Sequence, residues 1–168
     1  MKRPKEEKRH ERWHTVLAEC DLHIERIDHA FAYTKRLLPL NHGNFENLTD
    51  DDITYLDQLI YRFMKLQDAM GEKLFPLTLS LLGEQVESKP FIDILNRLEK
   101  LNLIPSRIEW SVWRELRNDL AHEYPDEIYE RIEAINTLSE TVGKIIDVYM
   151  TIRRYVEHKL TVELDGKE

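Results

Sequence analysis

The stretch IYERIEAINTLSETVGKIIDVYMTIRRYV, residues 128–156, carries the longest amphipathic pattern in the chain. Its apolar residues recur in steps of three and four: Ile128, Ile132, Ile135, Leu138, Val142, Ile145, Tyr149, Ile152 and Val156. This spacing matches the period of an α-helix and places one apolar stripe along its length. A stripe of this kind is buried best against other long helices.

Two more long helices are predicted in the first half of the chain. The first has its apolar stripe from Trp13 onward and is expected to end near Pro39. The second is expected to begin at Thr49, an N-cap residue followed by three aspartates in the first turn. Pro76 lacks an N–H and should kink this helix before Leu82 and Gly83 end it.

The second half of the chain adds a short helix after Pro90 and another long one. Ser106 and Glu109 form an S-x-x-E capping box, which predicts that this helix starts at Ser106. No stretch shows the period-two alternation of a β-strand. The sequence therefore predicts an all-α fold, an up-and-down antiparallel helical bundle of four long helices plus one short one.

Composition and charge limit the organisation and the partners. The chain has 168 residues, 33% of them charged and 42% hydrophobic, which suits one domain over residues 13–160. A flexible basic tail is expected over 1–12 and a disordered tail over 161–168. A single cysteine, Cys20, excludes an internal disulfide, and no segment is apolar enough for a membrane span, so a cytoplasmic protein without membrane contact is expected.

The net charge of −8 argues against a protein whose whole surface binds nucleic acid. A local basic cleft remains possible, because residues 1–12 hold six Lys or Arg against three Glu. Such a tail is more often simply solvated.

The segment RELRNDLAHEYP, residues 114–125, places Arg117, Asn118, His122 and Tyr124 within eight residues. Arg and His separated by four residues is a weak signal, because the same spacing occurs at residues 9 and 14 and at residues 153 and 158. Only the middle pair has Asn directly after the Arg and Tyr two residues after the His. The narrower pattern distinguishes this copy.

The pattern R-x4-H-x-Y resembles the motif of HepT, a toxin of the HEPN superfamily, whose members are small all-α bundles. The segment IYRFMKLQDAMGEKLF, residues 60–75, is similar to the helix that HepT-like proteins place ahead of the motif helix. The resemblance implies a homodimeric endoribonuclease that needs neither metal nor cofactor. It also implies a partner, a nucleotidyltransferase antitoxin.

The resemblance assigns a role to each motif residue. His122 would be base or acid around attack of a ribose 2′-OH on the adjacent phosphate, and Arg117 would stabilise the charge on the phosphoryl oxygens. Asn118, one turn before His122, would orient it or a phosphate. Tyr124 would receive AMP units from the partner, and their charge and bulk would block the cleft. The alternative for Arg117 and His122 is a surface pair favoured by the helix dipole.

Helical geometry gives a separate argument for a dimer. At 100° per residue, Val112, Leu116 and Leu120 are expected to form the core face of the motif helix, while Arg117 and His122 point about 140° apart. Trp110 and Ala121 would lie on a face between them, where a second copy could pack and bring both motifs to one cleft. The alternative is that Trp110 packs on the protein's own helices.

The sequence gives less support to a metal site or to a cysteine nucleophile. No Asp, Glu and His set has convincing metal-ligand spacing. Cys20 lies on the apolar stripe of the first helix, so we expect it to pack in the core rather than act as a nucleophile. Two further interpretations stay open: a non-catalytic HEPN binding subunit of a nucleotidyltransferase, and a helical scaffold without nucleic-acid contact.

Overall fold

Every regular element of the computed structural model is a helix. The structure describes residues 3–122 and 126–165; 82% of these residues are helical, and no strand occurs among them. The helices are α1 (Arg3–Thr34), α2 (His42–Glu46), α3 (Asp50–Ala69), α4 (Phe75–Leu81), α5 (Phe91–Lys100), α6 (Arg107–Ala121) and α7 (Ile128–Asp165). The predicted all-α class is confirmed.

Helices α1 and α7 extend beyond the limits expected from the sequence. Helix α1 begins at Arg3, so residues 3–12 form its first turns, within the segment expected to be a flexible tail. Helix α7 continues to Asp165, so residues 161–165 are helical, within the segment expected to be a disordered tail. Polar residues can prolong a helix past its apolar stripe, since each added residue needs only one further backbone hydrogen bond.

Helix α3 starts as predicted and then continues through an irregular turn. The Thr49 side chain accepts from the Asp52 N–H, and the Asp52 carboxylate accepts from the Thr49 N–H. The π-helical turn Met70–Leu74 joins α3 to α4 just ahead of Pro76. The wider turn accommodates a residue without an N–H, so the chain passes Pro76 and ends α4 at Leu81, followed by Gly83 at φ +84.

The core lies between the apolar faces of these helices. Helix α1 packs mainly along α3, and α6 contacts α3 and α5 on one side and α7 on the other. Fully buried residues come from several helices, among them Trp13, Leu59, Phe63, Leu98, Leu138 and Ile145. The position of α6 between neighbours on two sides leaves a groove along each of its edges.

In the part of the chain that the structure describes, no helix is both long enough and apolar enough to cross a bilayer.

Candidate functional site

Helix α6 holds the motif at its C-terminal end. Ser106 caps the helix, its side chain accepting from the Glu109 N–H at 2.9 Å, as the S-x-x-E pattern predicts. The helix ends at Ala121, and His122 follows with extended backbone, φ −91 and ψ 125. Arg131 of α7 donates from Nη1 to the Leu120 carbonyl at 2.9 Å, which satisfies one of the last carbonyls of α6. The end of the motif helix is thereby tied to α7.

The buried face of α6 differs from the one expected. Trp110, Trp113, Leu116 and Leu120 are buried, whereas Val112 is 52% exposed. The prediction of Val112 as a core residue is wrong. The core face is rotated toward Trp110, whose ring packs against Phe75 of α4 and Trp113 of α6.

Trp110 packs on the protein's own helices. It is 2% exposed, and its ring centroid lies 4.5 Å from that of Phe75 and 6.0 Å from that of Trp113. Trp110 is therefore not available to a second copy, and the alternative left open from the sequence is the correct one. The geometric argument for a dimer through Trp110 no longer applies.

Arg117 forms a two-point ion pair with Asp68 of α3. Its Nε donates to Oδ1 at 3.1 Å and its Nη2 donates to Oδ2 at 2.9 Å. The hydrogen bonds to Asp68, together with the charges of Asp68 and Glu72, raise the pKa of the Arg117 guanidinium. The side chains of Arg117 and Asp68 are 30% and 31% exposed, so the pair lies at the protein surface. The carboxylate fixes the plane of the guanidinium.

A groove of about 570 Å³ runs beside this pair, between α3 and α6, and we refer to it as the Arg117 groove. Its lining includes Gln67, Asp68, Gly71, Glu72, Pro76, Phe91, Trp110, Arg114, Arg117 and Asn118. Two guanidinium groups, two carboxylates, two amides and two aromatic rings thus surround one space. Asn118 is exposed here and belongs to the same groove as Arg117.

His122 lines a different groove, between α6 and α7, of about 460 Å³, which we call the His122 groove. Its lining is rich in carboxylates, contributed by Glu115, Asp119, Glu127, Glu130 and Glu133, with Arg131 as its cation. One chain therefore brings Arg117 and Asn118 together and leaves His122 on the other edge of the helix. Tyr124 lies outside the described residues.

Three residues of the Arg117 groove were missed by the sequence analysis: Gln67, Asp68 and Glu72. All three lie in residues 60–75, which were singled out only as a helix that precedes the motif helix. The polar residues adjoining the apolar stripe of that helix were the available signal. Within the described ranges, no group of three or more His, Cys, Asp or Glu side chains is arranged to hold a metal ion.

No family model, curated protein or solved structure matches this chain.

Proposed function

We propose that the protein is a metal-independent endoribonuclease of the HEPN type, with Arg117 and His122 as its catalytic residues. The observation that carries the proposal is the Arg117–Asp68 pair beside an open groove. A guanidinium has five N–H donors, and Asp68 takes two of them. The others are able to bind a phosphate whose orientation the ion pair fixes in advance.

His122 supplies the proton transfer in this mechanism. An imidazole takes or gives a proton near neutral pH, so His122 would remove the proton of a ribose 2′-OH or protonate the leaving 5′ oxygen. The 2′ oxygen bonds to phosphorus while the bond to the 5′ oxygen breaks, which leaves a cyclic phosphate and a free hydroxyl. Asn118, exposed beside Arg117, would donate to a phosphate oxygen.

The mechanism requires a second copy of the chain, because Arg117 and His122 line separate grooves. A two-fold axis beside α6 would place the Arg117 of one copy near the His122 of the other. Support comes from Ile108 and Val112, which are 68% and 52% exposed and lie one turn apart on α6. Large apolar side chains exposed next to each other often mark an interface.

Cleavage of RNA by purified protein in EDTA tests the proposal. Wild type should cut total RNA, and both His122→Ala and Arg117→Ala should lower the rate at least about a hundredfold, the effect of losing a general acid or base in the first case and a donor to the phosphate in the second. His158→Ala is the matched control, because Arg153 and His158 repeat the same spacing outside the motif. Equal cleavage by wild type and both motif variants overturns the assignment.

A nucleotidyltransferase antitoxin completes the proposed system, with Tyr124 as the residue that receives AMP. Intact-mass spectrometry of cytoplasmic protein co-expressed with such an enzyme should show added AMP that Tyr124→Phe abolishes. Tyr129→Phe is the control, since this neighbouring tyrosine is 71% exposed. Modification that persists in Tyr124→Phe would contradict the assignment.

A second candidate, a non-catalytic HEPN subunit that binds a nucleotidyltransferase, is favoured by the charge around the motif. Five carboxylates line the His122 groove, and Asp68 and Glu72 flank Arg117. Carboxylates this close repel an entering phosphate. A stable complex with the nucleotidyltransferase, combined with no RNA cleavage by wild type, would select this candidate over the enzyme.

A further inference from the structure

The Arg117 groove contains a buried amide nitrogen without a hydrogen-bond partner. Gln67 is 4% exposed and lines the groove. Its Nε2 atom has no hydrogen-bond partner among the described residues. A buried N–H donor in this state costs free energy, and a carbonyl or ring nitrogen of a ligand would satisfy it.

The same groove offers an aromatic surface and room beside it. Phe91 is partly exposed and lines it, and the Arg114 guanidinium lies 5.8 Å from the centroid of the Phe91 ring, while the buried Trp110 lies behind the surface. Gly71 contributes no side chain, although a Cβ there would lie 3.5 Å from Trp110 and 3.7 Å from Phe91. Space next to aromatic rings and a guanidinium suits a flat, polar, unsaturated ring.

The polar groups of the groove match the edges of a nucleobase. Gln67 and Asn118 supply amides, whose N–H groups and carbonyls can pair with the ring nitrogens, carbonyls and amines of a base. Arg114 and Arg117 supply cations for the attached phosphate. An aliphatic ligand would leave most of these groups unpaired.

A second groove, which we call the basic groove, lies along α4. It has a volume of about 320 Å³ and includes Lys8, Arg9, Arg12 and Lys73, with Glu87 as its carboxylate. Pro76 lines both this groove and the Arg117 groove, so the two adjoin across one turn of α4. Lys8, Arg9 and Arg12 of α1 thus contribute to a cationic surface in a chain of net charge −8.

Two contacts fix the walls of the basic groove. The Lys73 ammonium lies between both oxygens of Glu19, at 2.9 and 2.8 Å, and the Arg9 Nη1 donates to the Ser80 carbonyl at 3.5 Å. Lys8 and Arg12 are exposed and line the groove. Their charges face solvent at the position where a polyanion would approach.

We propose that the two adjoining grooves bind a segment of single-stranded RNA, with one base in the Arg117 groove and the next backbone phosphates in the basic groove. The choice of RNA over other polyanions rests on the proposed function. The base contact gives the groove its selectivity, and the phosphate contacts give affinity that grows with the length of the strand.

Binding is measured with 2′-O-methyl RNA, which lacks the nucleophile and stays intact whether or not the protein is an enzyme. Fluorescence anisotropy should show an octanucleotide binding at least about tenfold more tightly than a dinucleotide, because several more phosphates are contacted. Binding equal to that of inorganic phosphate, without dependence on length, overturns the proposal.

The base contact is tested with Gln67→Met, which keeps an unbranched side chain and removes the amide. We expect binding of both oligonucleotides to weaken about fivefold, the factor for one neutral hydrogen bond. The melting temperature should stay equal or rise, because the unpaired donor is gone. Weaker binding together with a fall in melting temperature would mean that Gln67 only supports the fold, and it would overturn the base contact.

The phosphate contacts are tested with the pair Lys8→Gln and Arg12→Gln. The affinity for the octanucleotide should fall, and the slope of log K against log salt concentration should become less negative by about 0.7 per lost phosphate contact. Binding of the dinucleotide should stay unchanged. The matched control is Lys35→Gln with Lys100→Gln, two exposed lysines that line neither groove. An equal loss in both double variants reduces the effect to net charge and overturns the assignment of the basic groove.

These outcomes separate the two proposals. If the protein cleaves RNA and neither Gln67→Met nor Lys8→Gln has an effect, the proposed enzyme activity stands and the proposed RNA binding in the two grooves is overturned. If binding depends on oligonucleotide length and on these residues but no cleavage occurs, the proposed RNA binding stands and the proposed enzyme activity is overturned.

Discussion

At the scale of single residues, the structure distinguishes three Arg–His pairs that have the same spacing. Arg9 lines the basic groove, and Arg153 joins α7 to α1 through Asp21, 3.1 Å from its Nη1. Arg117 alone combines a carboxylate that orients it with an open groove that also contains its neighbour Asn118. The local environment of each guanidinium, rather than the spacing, decides what it can do.

Asp68→Asn tests whether the carboxylate positions Arg117. The neutral amide no longer pairs with both N–H groups, so the guanidinium loses its fixed plane and kcat/KM for RNA should fall about tenfold. Stability should change by less than about 1 kcal/mol, because partly exposed ion pairs contribute little. Steady-state kinetics and thermal unfolding measure the two effects.

Glu72→Gln is the control for Asp68→Asn. It removes a carboxylate from the same groove, whereas only Asp68 has a hydrogen bond from Arg117 among the described contacts. An equal fall in kcat/KM for both variants would show that groove charge, and not the position of Arg117, controls the rate.

Cys20 is expected to resist thiol reagents. Burial, and then the carboxylates of Glu19 and Asp21, raise the pKa of the Cys20 thiol from 9.0 to about 12. The folded state therefore keeps its proton while the unfolded state loses it, so this contribution to stability is present below pH 9 and is lost as pH rises toward 12. Ellman's reagent at pH 8 should label Cys20 only after unfolding.

The pH dependence of Cys20 has its own control. Between pH 8 and pH 10, the denaturant midpoint should fall less for Cys20→Ala than for wild type, since the alanine has no proton to release. Rapid labelling of the native thiol, or equal falls in both proteins, would contradict a buried thiol with a raised pKa.

At the scale of elements, the π-helical turn Met70–Leu74 decides which residues line the Arg117 groove. The Phe75 N–H bonds to the Met70 carbonyl, five residues back, instead of four. Irregular turns of this kind shift the register of the residues on either side of them. Gln67, Gly71 and Pro76 therefore share one groove although α3 ends between the first two.

Gly71→Ala should stabilise the protein by about 0.5–1 kcal/mol, the entropic cost of glycine inside a helix. The added Cβ would make ordinary contacts at 3.5 Å to Trp110 and 3.7 Å to Phe91. A rise in melting temperature of a few degrees in scanning calorimetry is the expected outcome.

Gly143→Ala provides the comparison, because a Cβ at Gly143 in α7 would meet nothing within 4 Å. It should give a similar rise without touching the groove. A fall in melting temperature for Gly71→Ala, with a rise for Gly143→Ala, would show that the π-helical turn requires a glycine.

At the scale of the whole molecule, opposite charges are separated onto different edges of α4 and α6. The basic groove uses residues of α1 and lies beside α4, and the His122 groove collects carboxylates from α6 and α7 and from Glu127 just before α7. The net charge of −8 therefore describes neither surface. A polyanion would be guided first to the basic groove.

Val112→Glu tests the proposed second copy. Light scattering with size-exclusion chromatography should give about twice the chain mass of 20.1 kDa for wild type and a lower mass for the variant, because a charge enters an apolar contact. RNA cleavage should be lost with the dimer.

Ile53→Glu is the matched control for Val112→Glu, since Ile53 is 45% exposed in the first turn of α3 and lines neither the Arg117 groove nor the His122 groove. It should leave mass and cleavage unchanged. A monomeric wild type that cleaves RNA would overturn the need for a second copy.

Features that depend on a few neighbouring residues of one helix could be predicted from the sequence. The caps at Thr49 and Ser106, the end of α4 before Gly83 and the all-α class follow from patterns a few residues long. Hydrogen bonds between a side chain and the N–H three residues later are short-range, so neighbouring helices have little influence on them.

Which side of each helix is buried was decided only by the tertiary structure. Val112 and Trp110 both fit an amphipathic pattern, but the packing of α3, α5 and α7 around α6 buries Trp110 and exposes Val112. In the same way, Asp68 and Arg117, 49 residues apart, pair because α3 and α6 contact each other. The sequence by itself determined where helices form and where the motif lies on them, and the packing determined which grooves its residues line, because periodicity describes one helix while a groove requires two.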